Sequence, residues 1–324
     1  MPKGDAMSAL PPLLVIVGPT AIGKSEVALC VAQRLQGEIV SADSVQIYRY
    51  LNIGTAKPTP EERATVPHHL IDVVDPDQPY SVALYQRDAT AAIAGILARG
   101  RLPLLVGGTG LYVRAVLEGL AIPEAPPDPA LRARLGALAA EQGARAVHAL
   151  LAQVDPKAAA HIHPHNVKRV IRALEVYYQT GTPISSLHAL DRKRPPRYNA
   201  LVWGLAMPRP LLHRRIDERV DQQLAQGLVA EVAWLLDHGY HEHLTSMQGL
   251  AYRQIACCLR GRGSLEEAVA RLKRDSRRYA KRQYTWFRAQ PGVQWLNVPE
   301  YGGAQGVCTH IAEASAYLRP SLNA

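Results

Sequence analysis

No stretch of the 324-residue chain approaches the ~18 consecutive apolar residues of a membrane span. The N-terminus carries Lys3 and Asp5 and only a short apolar stretch, broken by Pro11 and Pro12, so it lacks a leader pattern. A soluble, unprocessed protein of the cytoplasm, without membrane contact, is expected. The four cysteines, Cys30, Cys257, Cys258 and Cys308, form no C-x-x-C pair and no Cys/His metal spacing. A reducing compartment suits them. There is no internal repeat, no low-complexity tract and no heptad run, so nothing demands association and a monomer is expected.

What the chain has in excess is positive charge. Lys and Arg number 37 against 28 Asp and Glu, a net charge of +9 that suits a polyanionic partner such as nucleic acid. The length exceeds the roughly 250 to 300 residues at which one core stops growing, which predicts two lobes. Gly18-Pro19-Thr20-Ala21-Ile22-Gly23-Lys24-Ser25 fits G-x-x-x-x-G-K-[ST]. Leu13 to Val17 before it reads as a buried strand and Glu26 to Gln36 after it as a helix. In that order, amides at the helix start and the Lys24 ammonium converge on phosphate oxygens, while Ser25 can hold Mg²⁺.

Further strands are predicted at Glu38 to Ser41, His69 to Val74, Leu102 to Val106, Ala200 to Leu205 and Val293 to Val298. They alternate with helical patterns, one of them capped by Ser81 and running from Val82 to about Arg99, and the last from Ala304 to Tyr317. The fold class is therefore α/β, a P-loop NTPase-like parallel sheet flanked by helices. From Pro123 to Pro196 the pattern turns helical without a convincing strand. The organisation expected is a core of residues 1–122 and 198–324 with an inserted all-helical lobe over 123–197, closing at Arg192-Lys193-Arg194-Pro195-Pro196.

Asp43, in Ser41-Ala42-Asp43-Ser44 at the end of the second strand, faces the phosphate loop across the mouth of the sheet and is the first candidate for general base. Gly107-Gly108-Thr109-Gly110 ends another strand where a hydrolase would carry an acidic Mg²⁺ ligand, which disfavours an ATPase; Asp72 and Asp75 could partly supply that carboxylate. The segment Leu265 to Arg288 holds eight basic residues, all from Arg271 onward, where only Asp275 offsets them and Tyr279, Tyr284, Trp286 and Phe287 lie between them. Its arginines, Arg278 and Arg282 among them, are expected to take nucleic-acid phosphates while the aromatics stack bases, a solvated charged face being the alternative. Lys168, Arg169 and Arg172 form a second basic cluster on one helix face in the lobe. The adjacent His161-Ile162-His163-Pro164-His165 has no fitting carboxylate or cysteine and reads as no metal site.

Together these stretches resemble the tRNA dimethylallyltransferases, also called tRNA isopentenyltransferases, from Leu14 to about Val298. The matching motifs are Gly18 to Ser25, Ser41 to Tyr48, Asn52 to Pro58, Leu105 to Tyr112, Arg169 to Glu175 and Ala280 to Arg288. The resemblance implies that the loop holds dimethylallyl diphosphate and that its five-carbon group moves to the exocyclic amine of the adenosine 3′ of the anticodon. It further implies catalysis by Asp43, Thr109, Lys24 and Arg219, with Mg²⁺ as cofactor on Ser25. It places Asp43, Ser44, Val45, Gln46, Thr109, Arg132, Lys168, Arg169, Val170, Ile171, Arg172, Gln248, Gly249, Leu250, Ala251, Tyr252 and Arg253 against the tRNA anticodon stem-loop. Ile22 departs from the small polar residue common in the family's loop and Ala251 from the usual glycine. No C-terminal zinc finger follows, which corresponds to the bacterial form.

Three other readings compete. An adenylate isopentenyltransferase would modify a free nucleotide, but the inserted lobe and the basic helix speak against it. A small-molecule kinase would use Asp43 to activate a hydroxyl and would need an arginine-bearing lid. An RNA-binding protein with a vestigial loop would have no reason to keep Gly23-Lys24-Ser25 and Asp43 complete.

Overall fold

Leu13 to Val17 are 0 % exposed, a burial that only a strand covered on both faces attains. They belong to β1 (Pro12–Val17), and the chain continues through α1 (Lys24–Leu35), β2 (Gly37–Ala42), α2 (Pro60–Thr65), β3 (His68–His69), α3 (Val82–Ala98), β4 (Leu102–Gly107) and α4 (Gly110–Glu118). Five helices follow: α5 (Pro129–Glu141), α6 (Ala144–Val154), α7 (Pro156–His161), α8 (Val167–Thr180) and α9 (Ile184–Asp191). Then come β5 (Asn199–Ala206), α10 (Arg209–Ala225), α11 (Leu228–Asp237), α12 (Leu250–Leu259), α13 (Leu265–Arg288), β6 (Val293–Asn297) and α14 (Ala304–Ala314). The computed structural model describes residues 10–123, 125–191 and 194–319, so Lys3, Asp5, Arg192 and Lys193 lie outside the described residues.

The six strands form one sheet in the order β3-β2-β4-β1-β5-β6, every pair parallel. Alternation along β1 sorts its side chains between two cores. Leu14 and Ile16 pack with Val27 and Val31 of α1 and with Val307 and Ile311 of α14. Leu13, Val15 and Val17 pack with Ile93 of α3, Val113 and Val116 of α4 and Phe287 of α13. A third cluster joins Ile47, Tyr48 and Leu51 to α10, α11, α12 and α13. The Ser81 hydroxyl accepts from the Leu84 amide at 3.2 Å, the cap the sequence indicates for α3.

Two expectations fail here. The strand predicted over His69 to Val74 is reduced to His68–His69, because Leu70 (φ 62°) and Asp72 (φ 57°) take left-handed backbone angles that no strand continues through. Beyond them only an isolated parallel bridge joins Val74 to Tyr48. The second concerns the thiols. Cys30 of α1 and Cys308 of α14 form a disulfide with sulfurs 2.08 Å apart, although 278 positions separate them in sequence; Cys257 and Cys258 are free.

Contacts divide the chain into one unit up to Leu117 and from Arg197 onward, and a second over Glu118–Pro196. The second unit has its own core of Leu131, Leu135, Val147, Leu151, Val170 and Leu174. Val170 and Ile171, expected against RNA, are 0 % and 8 % exposed and serve as packing residues; Lys168 and Arg169 beside them are exposed. Arg132 and Arg172 are also turned inward in part, since both bind the fully buried Glu175, at 2.8 Å and 2.6 Å. His161 bonds the Lys157 carbonyl, and the His163 and His165 rings stack 5.3 Å apart.

Burial alone would raise the Glu175 pKa, but Arg132, the Asp128 amide and Arg172 outweigh it and bring it down to about 2. The depressed folded-state value means that the stabilisation is fully present above the ordinary carboxylate range and is lost as pH falls from there through about 2. Glu175→Gln leaves two guanidiniums without their anion and is expected to destabilise the helical unit by about 3 kcal/mol. Limited proteolysis of the variant should show early cleavage within residues 118–196, and wild-type cleavage rates are the result that would count against it.

Candidate active site

Because β1 lies beside β4, and β4 beside β2, the loops leaving their carboxyl ends are neighbours. The loop after β1 is shaped by Gly18 (φ 151°), Ala21 (φ 62°) and Gly23 (φ 100°), angles that turn successive amides inward ahead of α1. Lys24 folds back so that its Nζ donates to the Pro19 carbonyl at 2.8 Å. Desolvation and the Arg219 guanidinium pull its pKa down to about 7, with Asp43 opposing them. Ile22 is 1 % exposed and sits in the core under α1, so its departure from the family pattern changes packing rather than a phosphate contact.

The loop after β2 is held by its own carboxylate. Asp43 Oδ1 accepts from the Val45 amide at 2.8 Å and the Gln46 amide at 3.3 Å, while Oδ2 accepts no hydrogen bond from the described residues. The Thr109 hydroxyl accepts from the Ser44 amide at 3.1 Å and its main-chain N–H donates to Ala42 at 3.1 Å, which ties the end of β4 to the Asp43 turn. Gln283 of α13, 6 % exposed, closes the triangle. Its Oε1 accepts from the Thr20 amide of the phosphate loop at 2.8 Å and its Nε2 donates to the Gly108 carbonyl at 2.9 Å. This approach requires glycines: a Cβ on Gly108 would stand 2.2 Å from Gln283 Nε2, and one on Gly110 2.1 Å from the Trp286 ring.

The opposite wall is the segment Asn52 to Lys57, an irregular backbone pinned by polar side chains, of which Gln223 is buried. Glu231 of α11 accepts from the amides of Asn52, Ile53 and Gly54 and from the Tyr252 hydroxyl at 2.7 Å. Gln223 donates to the Ile53 carbonyl at 2.7 Å and Arg219 to the Thr55 carbonyl at 3.3 Å. Gln46 Nε2 reaches the Thr55 and Ala56 carbonyls. Asp72 binds Lys57 at 2.6 Å and Arg63 at 2.8 Å, and Asp75 binds Arg49 at 3.0 Å. Both carboxylates are committed to ion pairs and neither borders the cavity, which removes the substitute metal ligand a hydrolase would need.

Between these walls lies a cavity of about 490 Å³. Thr20, Ala21, Asp43, Ser44, Val45 and Arg219 border it on the phosphate-loop side, and Tyr48, Tyr80, Tyr112, Tyr252 and Tyr279 supply aromatic surface. Burial raises the pKa of all five phenols, that of Tyr279 to about 12, so the lining is neutral. Arg282 stands at the rim with its guanidinium 5.6 Å from the Tyr279 ring centre. Gln248 to Arg253 all border the cavity; Ala251 and Tyr252 do so as buried residues, at 5 % and 1 % exposure. Desolvation also lowers the pKa of Arg219, with Asp43 acting against it.

The basic helix differs from its expectation. Asp217 and Asp221 of α10 take Arg277 and Lys273 at 2.6 Å each, so Asp275 is not the sole offset. Phe287 is wholly buried, Trp286 packs on Gly110, and the Tyr284 hydroxyl accepts from the Met207 amide, which makes these three structural rather than base-stacking. Arg278 remains largely exposed, 3.8 Å from Asp275. Sequence reasoning missed Gln283, Glu231 and Gln223 as site supports. Their signal is a polar residue three or four positions from buried apolar ones, as Gln283 stands between Ala280 and Phe287. Gln283→Ala is expected to loosen the phosphate loop and raise the Kd for inorganic pyrophosphate about tenfold, read by titration calorimetry. An unaltered Kd would show that the bridge does not hold the loop.

Comparison with known proteins places the chain in a family. The IPP transferase family model matches residues 46–290, and the isopentenyl transferase model residues 11–72. The chain is 57 % identical over 285 residues to a tRNA dimethylallyltransferase of Roseiflexus castenholzii, covering 88 % of this chain and 92 % of that one. It is 50 % identical over 304 residues to the enzyme of that name from Pelotomaculum thermopropionicum, covering 94 % and 96 %. Among solved structures it is similar to the full-length tRNA isopentenylpyrophosphate transferase of Bacillus halodurans, with a TM-score of 0.68, 44 % identity and 95 % and 97 % coverage. A eukaryotic dimethylallyltransferase acting on tRNA gives a TM-score of 0.76 at 27 % identity, over 89 % of this chain and 74 % of that one. With residues 46–290, three quarters of its length, matching one family model, and its phosphate loop and Asp43 turn within the stretch that the isopentenyl transferase model matches, the chain belongs to the IPP transferase family.

Proposed function

We infer that the protein is a tRNA dimethylallyltransferase, transferring the five-carbon group of dimethylallyl diphosphate to the exocyclic amine of the adenosine 3′ of the anticodon. The observation that carries this reading is the joining of a complete phosphate loop and a single free carboxylate oxygen, on Asp43, around one aromatic-walled cavity. The diphosphate would lie on the loop amides, Lys24 and Arg219. The apolar and tyrosine-lined part of the cavity would take the allyl chain and the flipped adenine, whose extrusion from the loop stack costs a few kcal/mol.

In the reaction the allylic C–O bond breaks and both its electrons leave with the diphosphate. The amine nitrogen bonds to the same carbon, and Asp43 takes the proton that nitrogen loses. Lys24, Arg219 and the loop amides act where charge accumulates on the departing oxygens. Thr109, the further catalytic candidate, would act from the turn that presents Asp43, which its hydroxyl holds by accepting from the Ser44 amide. Ser25, exposed in the first turn of α1, is the protein oxygen that would hold Mg²⁺. No trio of His, Cys, Asp or Glu among the described residues forms a metal cage, a donor set that suits an ion bound chiefly by phosphate oxygens and water. When bound, the ion neutralises charge on the leaving group.

Lys168, Arg169, Arg278 and Arg282 are the exposed bases that fit the RNA backbone. No helix among the described residues is long and apolar enough to cross a membrane, and a monomer working in the cytoplasm is the setting we propose. Within it, the Cys30–Cys308 bridge would form only where the local potential allows.

Two outcomes test the assignments. Asp43→Ala should lose prenyl transfer by at least about a hundredfold while tRNA affinity stays within about twofold, measured by single-turnover transfer and filter binding; wild-type transfer in the variant contradicts the base assignment. In the free protein Lys24 loses its charge as pH rises through about 7, so diphosphate binding must restore the proton. Calorimetry in buffers of different ionisation heat should record uptake of about one proton more at pH ~8 for the wild type than for Lys24→Arg, and almost no difference at pH ~6. Equal uptake at both pH values would place Lys24 outside the phosphate site.

A further inference from the structure

Helix α10 carries two arginines one turn apart, Arg215 and Arg219, on the side that faces the phosphate loop. Arg219 borders the cavity and bonds Thr55. Arg215 does neither. It is half-buried, forms no hydrogen bond or ion pair among the described residues, and does not border the cavity. Its guanidinium nevertheless approaches the loop: a Cβ built on Gly23 would stand 3.6 Å from Arg215 Nη2, with Glu26 Oε2 the next atom at 4.0 Å.

A half-buried guanidinium without a partner is unusual here. Arg277 on the facing helix, by contrast, is bound by Asp217 at 2.6 Å. Asp217, two positions on, projects from a different side of the helix and cannot reach Arg215, so Arg215 stands without an ion pair beside the phosphate loop at Gly23. A planar fork of donors beside that loop suits a phosphate group bidentately.

We propose that Arg215 is a second arginine of the diphosphate site, gripping one phosphate from the outer side of the loop at Gly23 while Arg219 acts from the cavity side. The proposal rests on the reading that the loop holds a diphosphate. It adds that the two guanidiniums, spaced by one helical turn, make the site read two linked phosphates rather than one. Gly23 is suited to such a neighbour, because its φ of 100° and lack of a side chain leave the approach open.

The test is calorimetric binding of inorganic pyrophosphate and of inorganic phosphate to the wild type, Arg215→Ala, Arg215→Lys and Lys24→Ala, with melting temperatures as a control for folding. Arg215→Ala should weaken pyrophosphate by about 10- to 100-fold while changing phosphate by less than about threefold, and Arg215→Lys should restore part of the loss. In turnover, the KM for dimethylallyl diphosphate should rise with tRNA affinity unchanged. If Lys24→Ala weakens pyrophosphate and Arg215→Ala does not, the loop reading stands and the proposal is overturned. If Lys24→Ala has no effect either, the diphosphate reading itself fails and the proposal with it. Equal weakening of phosphate and pyrophosphate in Arg215→Ala, or a matching fall in melting temperature, would assign Arg215 a structural role and also overturn it.

Discussion

Two cations share a desolvated space with one carboxylate: burial disfavours the charge on both Lys24 and Arg219, Arg219 lowers Lys24 further, and only Asp43 opposes. Such an arrangement is costly in the free protein and is relieved by a multiply charged anion. The surrounding structure serves to keep these three groups together. The order β2-β4-β1 sets their loops side by side, Gln283 fastens the phosphate loop to the Gly108 turn, and Thr109 fastens that turn to Asp43. A cationic site of this kind favours the leaving group of a prenyl transfer, which gains negative charge as its bond breaks, over a hydrolysis that needs an acidic metal ligand.

The far wall follows a different logic. Within Asn52 to Lys57 the backbone closes only turn bonds, Ala56 N–H to the Ile53 carbonyl and Lys57 N–H to the Asn52 carbonyl, so side chains satisfy the rest: Glu231 takes three amides, Gln223 the Ile53 carbonyl and Arg219 the Thr55 carbonyl. Helices α10 to α13 thus act as a rigid frame for a loop that borders the cavity. The same helices carry Arg215, Arg219 and Arg282, so the packing that shapes the wall also places the charges.

Much of this could be read in the sequence. The phosphate loop, the strands with continuous apolar runs and the Ser81 cap are local signals, and each lies within a residue or two of its predicted place. The sheet and the helical segment after Glu118 follow from the same patterning. Three kinds of feature were not legible. The His69 to Val74 strand failed because left-handed angles at Leu70 and Asp72 are set by the ion pairs and packing around them, not by β propensity. The aromatics of α13 read as stacking surfaces, yet Phe287 and Trp286 are needed to seat the helix on the sheet and on Gly110. The offset of Arg277 and Lys273 by Asp217 and Asp221, like the Cys30–Cys308 pair, joins residues more than 50 positions apart, which no local pattern reveals.

The most direct measurement of the central claim is transfer of label from radiolabelled dimethylallyl diphosphate, with Mg²⁺ and the purified protein, to either unmodified tRNA or AMP. Label in tRNA alone is the result that a site built around a diphosphate leaving group and an RNA-borne adenine requires. Label in AMP would assign the protein to free-nucleotide chemistry, and label in neither acceptor would contradict the account.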